Sequence, residues 1–323
     1  MSLRFAMKWM LGLTLAVLSF AGIAQATPYS VVVSYGDSLS DNGNLFAAVG
    51  QPGFPYFQGR RSDGPVAVEK LAAALGVPLV DFAWLGATSG IGNFADGGTP
   101  TSLGFVSLPG MLTEFAATQG TLAPYLAGGL FVVWGGPDDF LAPSPLDLTP
   151  QAVITRAVNN ELSIVNGLRL LGAQNILAPG MPDLGLTPYY QSLGPVAAAQ
   201  ITAATDAYNL ALFSSLPAGV LFYDTAGLER SMVANPSAYG FNNVTDPCFD
   251  GVATLCADPS KYLFFDSFHP TTAAHGFVAA GFASAVTAAV PAPEPNSFVL
   301  SAVGFDLCAA LWRSRNKKES DAT

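Results

Sequence analysis

The sequence predicts an α/β protein built on a central parallel sheet, and two observations support this fold class. Short apolar runs rich in β-branched residues recur along the chain, as expected of strands that are buried on both faces. Longer segments with a helical pattern lie between these runs. Strands and helices alternate in this way when helices cover both faces of a parallel sheet, and such proteins carry their active sites at the carboxyl ends of the strands.

Five strands are predicted, and the first of them is the clearest. It reads SVVVSY, a β-branched apolar run typical of a buried parallel strand. No internal repeat and no second domain boundary interrupts the alternation of strands and helices, so we predict one domain. The predicted strands are residues 30–35, 78–82, 130–134, 175–178 and 220–223.

Helical patterns occupy the segments between these strands. The first predicted helix is followed by Gly76, a residue type that commonly ends helices. In the two longer helices, Glu161, Arg169 and Asp206 are spaced as a solvated face. The Gly/Pro-rich stretch 86–110 predicts a long loop. The predicted helices are residues 65–75, 150–171 and 195–216.

Composition excludes several classes of protein. The 323 residues hold 13 Lys and Arg against 23 Asp and Glu, a formal charge of −10, whereas a nucleic-acid binder needs a basic face. Half of the residues are hydrophobic, which argues against intrinsic disorder. Two histidines and three cysteines leave little room for a zinc site. We therefore predict no metal, no organic cofactor and no nucleic-acid partner.

The amino-terminal end has the three parts of a secretory signal peptide. Arg4 and Lys8 precede an apolar run at 10–23, and Ala24-Gln25-Ala26 follows as a small-x-small cleavage site. Residues 1–26 are accordingly predicted to be removed on export, the alternative being an uncleaved anchor. The domain that remains is predicted to span residues 27–292.

The carboxyl-terminal segment 293–323 also has three parts. Pro293-Glu294-Pro295 precedes an apolar stretch at 298–312 that contains Asp306, and a basic cluster follows. This arrangement resembles the PEP-CTERM sorting signal of Gram-negative bacteria. The resemblance implies a sorting protease as a partner and a periplasmic, cell-surface or extracellular location. The alternatives are a frayed tail, or a weak membrane stop that associates transiently with the bilayer through residues 298–312.

Two of the three cysteines are predicted to form a disulfide. The compartment beyond a signal peptide is oxidising, and Cys248 and Cys256 flank a short turn-like segment. Their bond would close a surface loop. The alternative is a pair of unpaired thiols.

Two polar segments carry the candidate chemistry. Residues 36–44, GDSLSDNGN, come directly after the first predicted strand, and residues 265–271, FDSFHPT, lie near the other end of the domain. Ser38 in the first segment is a candidate nucleophile. A hydroxyl is a poor nucleophile unless a neighbouring base takes its proton, and that base must be held in the right tautomer.

Only two histidines are available as the base. His269 follows Asp266 by three residues in a loop, close enough for the carboxylate to accept the Nδ1 proton. His275 falls in an Ala-rich helix, where packing or local capping is the simpler interpretation. No G-x-S-x-G occurs, which disfavours the nucleophile elbow of α/β-hydrolases. The candidate catalytic residues are Ser38, Asp266 and His269.

These segments together resemble the GDSL family of the SGNH hydrolases. The blocks follow in the family's order along the chain, namely the first polar segment, GRRSDGPV at 59–66, and DSFHPT within the second polar segment. The resemblance therefore extends over most of the domain. The resemblance implies an esterase or lipase with a three-layer α/β/α, flavodoxin-like fold around a central parallel sheet. It also implies that Ser38 is the nucleophile and an oxyanion donor through its N–H, that His269 is the base and then the acid, and that Asp266 orients His269.

The second family block, N-[FY]-A-x-G-G-A-T, reads DFAWLGAT at 81–88. Gly86 aligns with the glycine whose N–H points at the oxyanion. Asp81 and Leu85 depart from the pattern, which predicts altered local packing. In the third block the family reads G-x-N-D, and here residues 136–139 read GPDD, which places Asp138 at the position of the oxyanion Asn.

An ionised Asp138 has no proton to donate and would repel the developing negative charge. Loss of one oxyanion donor typically costs about 2.7–4 kcal/mol, or roughly 10²–10³ in rate. A carboxyl whose pKa is raised would still donate as the neutral acid. We therefore expect an enzyme that is active but impaired, or most active at mildly acidic pH.

Three functional interpretations remain open. The first is a secreted serine ester hydrolase that cleaves a small-molecule or lipid carboxylic ester through an acyl-enzyme on Ser38. The second is an acyltransferase that uses the same residues, and the third is a non-catalytic surface protein weakened by Asp138. Phe54, Tyr56 and Phe57 either line an acyl pocket or pack as loop aromatics.

Overall fold

The computed structural model describes residues 29–96 and 108–289. The predicted signal peptide 1–26 and the PEP-CTERM-like segment 293–323 lie outside these residues, so those boundaries stay predictions. Internal contacts divide the chain after Ala283, and the described residues beyond that point, 284–289, form the end of the last helix and one turn residue. None of the helices in the described ranges combines the length and apolar character needed to cross a bilayer.

A five-stranded sheet lies at the centre of the fold. All neighbouring strands are parallel, and the order is β2-β1-β3-β4-β5. This is the strand order of doubly wound, flavodoxin-like sheets, so the predicted fold class is confirmed. Each strand begins and ends within one residue of its predicted limits. The strands are β1 Val31–Gly36, β2 Leu79–Asp81, β3 Gly129–Trp134, β4 Asn175–Pro179 and β5 Leu221–Tyr223.

The predicted helices are present with small changes at their ends. The first begins two residues later than predicted and ends at Gly76, whose φ of 67° lies in the left-handed region that favours glycine. The α-helices of the described residues are α1 Asn44–Val49, α2 Ala67–Leu75, α3 Met111–Thr118, α4 Pro137–Leu141, α5 Pro150–Leu171, α6 Pro188–Ser192, α7 Pro195–Ser215, α8 Thr225–Ala234 and α9 Thr272–Ala288.

Helices cover both faces of the sheet. On one face, alternate residues of β1 such as Tyr35 belong to a core cluster with Phe115 of α3 and Leu168 of α5. On the other face, the ring of Trp134 from β3 packs edge-on against Phe282 of α9, with centroids 5.2 Å apart. The period-2 alternation of side chains along each strand supplies both cores. The result is a three-layer α/β/α sandwich.

One prediction about the helix surfaces was wrong. Arg169 and Asp206 are exposed as expected, but Glu161 on α5 is fully buried. Its carboxyl accepts a 2.8 Å hydrogen bond from the N–H of Gly135, directly after β3. A buried backbone N–H outside the ladder needs an acceptor, and here a helix side chain supplies it. Burial also raises the pKa of Glu161 to about 8.

The strand order creates a crevice at the carboxyl edge of the sheet. From β1 the chain crosses to β2 on one side, and from β3 it crosses to β4 on the other side. The loops that leave β1 and β3 therefore diverge, and ligands of such sheets bind at this switch point. Ser38 lies in the loop after β1, and Asp138 lies in α4, directly after β3.

Candidate active site

A tight turn presents Ser38 at the end of β1. The backbone carbonyl of Asp37 accepts the N–H groups of Ser40 and Asp41 at 3.1 and 2.9 Å. The Asp37 side chain also accepts the N–H of Leu39 at 2.9 Å. These three bonds fix the backbone around Ser38, so its hydroxyl has a defined direction.

The three predicted catalytic residues lie in one hydrogen-bonded chain. His269 Nε2 is 2.9 Å from Ser38 Oγ. His269 Nδ1 is 2.8 and 2.9 Å from the two carboxyl oxygens of Asp266. Because Nδ1 faces a carboxylate, the ring carries its proton there and leaves Nε2 free to accept the proton of Ser38. This is the arrangement of a nucleophile, a base and an orienting acid.

Asp266 is held in its ionised form. Its Oδ1 accepts the backbone N–H groups of Phe268 and His269, both at 2.8 Å. Burial acts to raise the pKa of Asp266, but the charge of His269 and these donors outweigh it and lower the pKa to about 2. The carboxyl therefore carries a full negative charge near neutral pH.

Tyr56 is a site residue whose role the sequence left open. Its hydroxyl donates a 2.8 Å hydrogen bond to Asp266 Oδ2. Its ring packs edge-on against Phe249 and Phe265, with centroids 5.8 and 5.4 Å away. Burial, followed by the charge of Asp266, raises the pKa of Tyr56, so the phenol stays protonated and donates. Phe54, by contrast, is 92% exposed and does not line the cavity described below.

Two backbone N–H groups are free to bind an oxyanion. Neither the N–H of Ser38 nor that of Gly86 donates to an acceptor among the described residues, and both residues line the same cavity. Gly86 has a φ of 79°, and a Cβ there would lie 2.5 Å from Asn93 Oδ1. Only glycine fits this position without strain, and the role of its N–H as an oxyanion donor stays a prediction of the family resemblance.

Asp41 connects the loop of Ser38 with the loop of Gly86. Its carboxyl accepts the N–H of Leu85 at 2.7 Å, and it also accepts N–H groups at the start of α1. Asp81 supports the same junction because its Oδ2 accepts the N–H of Asn42 at 2.9 Å. The Asp that replaces the family's Asn at position 81 therefore accepts a backbone hydrogen bond through its side chain.

Asp138 lies at the start of α4, and its buried carboxyl lines the cavity. The side chain of Asp138 makes no hydrogen bond with any described residue. Burial, followed by the charges of Asp37 and Asp139, raises its pKa well above the ordinary range of an aspartate, and only Arg61 acts in the opposite direction. The neutral acid is therefore favoured, and it has a proton to donate. Asp139 is bound separately, to Ser89 and Arg156.

The site opens into a cavity of about 310 Å³, at the lower end of the range of ligand pockets. The catalytic candidates and the oxyanion donors line one part of it. Its other walls are mostly apolar, with one cation, Arg61. The apolar wall residues include Leu39, Leu85, Phe94, Leu141 and Leu184.

The predicted disulfide between Cys248 and Cys256 is present. It closes a loop whose residue Gly251 borders the cavity. Within this loop Asp250 accepts the N–H groups of Val252, Ala253 and Thr254, which lower its pKa. The loop also carries Phe249 against the ring of Tyr56. The cross-link thus braces one wall of the site.

The second histidine has the structural role that its helix predicted. His275 is buried in α9, and its Nδ1 accepts the N–H of Ala67 at the start of α2. Burial, with the charges of His269 and Lys70, lowers its pKa to about 3, so it stays neutral. In the described part of the chain, no three His, Cys, Asp or Glu side chains are grouped so that they could hold a metal ion.

The fold and the site together define a hydrolase-type serine centre at the carboxyl edge of a flavodoxin-like sheet. Residues 32–282 match the family model described as GDSL-like Lipase/Acylhydrolase. The match covers more than half of the chain, and the protein therefore belongs to this family.

Several curated proteins are similar to this chain. Thermolabile hemolysin of Vibrio parahaemolyticus is 28% identical over 77% of the chain and 62% of its own length. Esterase EstA of Pseudomonas aeruginosa is 31% identical over 86% of the chain and 50% of its own length. Phosphatidylcholine-sterol acyltransferase of Aeromonas hydrophila is 27% identical over 76% of the chain and 73% of its own length. The chain thus spans only about half to three-fifths of the first two relatives.

Solved structures show more distant likenesses. A carbohydrate esterase family 2 enzyme of Corynascus thermopiles (Myceliophthora fergusii) gives a TM-score of 0.47 at 20% identity, covering 83% of this chain and 68% of that one. An acetylxylan esterase of Geobacillus stearothermophilus gives a TM-score of 0.42 at 15% identity, covering 80% and 96%. Both scores are below 0.5, so the fold assignment rests on the sheet order and the family match.

Proposed function

We propose that this protein is a serine ester hydrolase that cleaves carboxylic esters through an acyl-enzyme on Ser38. The observation that carries the proposal is the hydrogen-bonded chain from Ser38 through His269 to Asp266, which lines a cavity with two unpaired N–H donors. The residues supply a nucleophile, its base and a place for the oxyanion within one cavity.

In the acylation step, Ser38 Oγ attacks the ester carbonyl carbon while its proton passes to His269 Nε2. The new C–O bond makes a tetrahedral oxyanion, which the N–H groups of Ser38 and Gly86 stabilise. His269, now an imidazolium beside Asp266, gives its proton to the alkoxy oxygen. The ester C–O bond breaks, and the free alcohol leaves.

Deacylation reverses these roles with water. His269 takes a proton from a water molecule, and the resulting hydroxide attacks the acyl carbon on Ser38. The second tetrahedral oxyanion collapses, the bond to Ser38 Oγ breaks, and His269 returns its proton to that oxygen. The products are the carboxylic acid and the regenerated serine.

Asp138 supplies a third oxyanion donor in its neutral form. Its proton would bond to the oxyanion as the amide of an Asn does in the family pattern. Ionisation of Asp138 would remove that donor and add a like charge beside the oxyanion. The contribution of this third donor is therefore tied to the protonation of Asp138 and is lost as pH rises through the pKa of this group.

The substrate class and the location are parts of the same proposal. The apolar cavity walls suit a small-molecule or lipid ester. Export by residues 1–26, to the periplasm, cell surface or surroundings of a Gram-negative bacterium, is supported by the disulfide, which persists in oxidising compartments. Sorting through residues 293–323, by a membrane protease, remains part of this proposal.

An acyltransferase is the second candidate. The similarity to the phosphatidylcholine-sterol acyltransferase of Aeromonas hydrophila, which extends over 73% of that protein, favours it. The first half of the reaction is the same, and an alcohol replaces water in the second half. The non-catalytic alternative is disfavoured because the chain from Ser38 to Asp266 is intact.

The test is the hydrolysis of p-nitrophenyl esters of short and long acyl chains between pH 5 and pH 9. The wild-type protein is compared with Ser38→Ala, and Ser163→Ala, an exposed serine on α5, is the matched control. Turnover that only Ser38→Ala abolishes supports the serine mechanism. Turnover that survives in Ser38→Ala contradicts it. Acyl transfer to added alcohols at the expense of free acid would instead establish the transferase.

A further inference from the structure

Arg61 brings a positive charge into the catalytic cavity. Among the described residues that line this cavity, it is the only Lys or Arg, and it shares the wall with Ser38, Asp138 and His269. Its guanidinium lies over the ring of Tyr56, with the central carbon 4.8 Å from the ring centroid. Tyr56 in turn donates a hydrogen bond to Asp266, so one tyrosine contacts both the cation and the carboxylate that bonds His269.

Arg61 is not paired with a carboxylate. In the described ranges, no acidic oxygen lies within 4.0 Å of its guanidinium, and its buried Nε has no hydrogen-bond partner. The adjacent Arg60 differs, since its Nε and one terminal nitrogen bond both carboxyl oxygens of Glu69 at 3.2 and 2.7 Å. Arg156 and Arg230 also pair with two carboxylates each.

A guanidinium without a carboxylate partner has a physical cost in this position. A partly buried charge loses hydration, and its contacts with the side chain of Tyr56 recover only a part of that loss. Arg stays charged at any pH at which the protein folds, and its planar donors match a carboxylate or a phosphate in a fork geometry. The cavity therefore holds a donor set for an anion that the protein itself does not supply.

We propose that Arg61 is a specificity-determining residue that binds a negatively charged group, a carboxylate or a phosphate, on the ester substrate. The inference rests on the proposed ester hydrolysis and names its preferred substrates as anionic esters. The charged group binds the guanidinium of Arg61 while the ester carbonyl faces Ser38. The apolar walls around Arg61 lower the local dielectric and strengthen this attraction.

Acidic groups on the other walls set the pH at which the preference is strongest. The carboxylate of Asp266 accepts hydrogen bonds from His269 and Tyr56. Asp138 faces the same cavity, and the charge of Asp37 acts on it. When Asp138 is protonated, Arg61 is opposed, among the acidic residues of the cavity lining, only by Asp266, whose oxygens already accept four donors. An ionised Asp138 would weaken the binding of an anion, so the preference for charged esters falls as pH rises.

The experiment uses pairs of esters that differ in one charged group. p-Nitrophenyl butyrate and mono-p-nitrophenyl succinate place a methyl group or a carboxylate at the end of the same acyl chain. Phenyl acetate and 3-carboxyphenyl acetate place the carboxylate on the alcohol side, and glycerol monobutyrate and its 3-phosphate place a phosphate there. The measured quantity is the ratio of kcat/KM, charged over neutral, at pH 6 for each pair.

Three variants locate the cause of any preference. Arg61→Gln removes the charge from the cavity, and Arg61→Lys restores a charge without the fork. Arg60→Gln removes an equal charge one position away and is the matched control. We expect a wild-type ratio above one for at least one pair. Arg61→Gln lowers that ratio about tenfold or more, as expected for a charged hydrogen bond. Arg61→Lys recovers part of it, and Arg60→Gln keeps it.

Two results would overturn the inference. Either no pair favours its charged member, or Arg61→Gln leaves the favoured ratio unchanged while lowering charged and neutral rates together. The second result would mean that Arg61 only supports the ring of Tyr56. Failure of the proposed function has a different signature, since no neutral ester would then be cleaved in a Ser38-dependent way. The pair that shows the preference distinguishes a carboxylate from a phosphate and the acyl side from the alcohol side.

Discussion

Tyr56 Oη and Asp266 Oδ2 are joined by a 2.8 Å hydrogen bond between residues that stand 210 positions apart in the chain. Through it, the loop before α2 contacts the orienting acid of the catalytic chain. Asp266 thereby has four donors, namely the phenol, two backbone N–H groups and the ring of His269. These four hydrogen bonds fix the position of the carboxylate, and the carboxylate in turn orients the imidazole of His269.

We expect Tyr56→Phe to lower kcat/KM for a neutral ester by about three- to tenfold, roughly the value of one hydrogen bond. The ring packing is kept and only the donor is lost. Without that donor, one of the four bonds that position Asp266 is missing, and the ring of His269 is held less firmly. The loss should therefore appear in kcat as well as in kcat/KM.

Tyr239→Phe is the matched control, because the hydroxyl of Tyr239 makes a 2.8 Å bond with Ser231 and does not line the cavity. A rate loss of the same size in Tyr239→Phe would mean that the effect does not come from the contact with Asp266. An unchanged rate in Tyr56→Phe would mean that this hydrogen bond makes no contribution to catalysis.

Asp138→Asn tests whether the neutral carboxyl donates to the oxyanion. Because the pKa of Asp138 is raised, the donor is present at acidic pH and is lost as pH rises through that pKa. An amide donates at every pH. We expect the variant to gain most at the alkaline end of the profile, by up to roughly 10² in kcat, and least at the acidic end.

The measurement is kcat against pH for both proteins, with Asp246→Asn, an exposed aspartate of the loop after α8, as the control. A variant that is slower than wild type throughout would show that Asp138 is needed as an acid or acceptor in its own right. The hypothesis of an impaired oxyanion site would then be wrong.

Local patterns explain how much of the fold the sequence predicted. β1 and α5 were located almost to the residue because a β-branched apolar run and a long period of 3.6 are signals contained within each segment. The start of α2 lies two residues later than predicted because the backbone at Val66 is extended and the helix begins only at Ala67. Where a helix starts depends on the partners of its first N–H groups, and one of those partners is His275, 208 positions away.

The residues of the site also differ in how far local sequence predicted them. Ser38, Asp266 and His269 stand in recognisable motifs, and the structure brings them together. No local sequence pattern indicates the roles of Tyr56, Arg61 and the buried Glu161, because these roles come from contacts made across the fold. Periodicity assigned Glu161 to the solvent, and only the position of Gly135 after β3 explains why a carboxyl is buried there.

Glu161→Gln is expected to reduce the pH dependence of stability. The pKa of Glu161 is about 8 in the folded protein and about 4.3 in an unfolded chain. A raised folded pKa means that the stabilisation is complete below the unfolded pKa and is lost as pH rises through the folded one. The free energy of unfolding of the wild type should thus fall between pH 5 and pH 8.5, by up to roughly 1.4 kcal/mol per pH unit from this group, and the Tm should fall with it.

Thermal unfolding of wild type, Glu161→Gln and Asp206→Asn at pH 5, 7 and 8.5 checks this. Asp206 is an exposed carboxylate on α7 that pairs with Arg230, and its variant is the control for the loss of one acidic side chain. Burial raises the pKa of Asp37 to about 7 and that of Glu229 to about 8, so part of the decrease of Tm with pH remains in Glu161→Gln. The same dependence of Tm on pH in all three proteins would mean that the ionisation of Glu161 does not destabilise the fold.

The cross-link between Cys248 and Cys256 should stabilise the folded chain more than it affects catalysis. It closes a loop of eight positions, for which loop-closure entropy gives roughly 2–3 kcal/mol. The double variant Cys248→Ala/Cys256→Ala should therefore unfold about 5–10 °C lower, given the size of the domain. Turnover should fall less, since Phe249 braces Tyr56 from this loop but lies outside the catalytic chain. Reduction of the wild type should reproduce the shift in Tm, whereas the double variant should not respond to the reductant. A reductant effect of equal size in both proteins would place the stabilisation outside this bond.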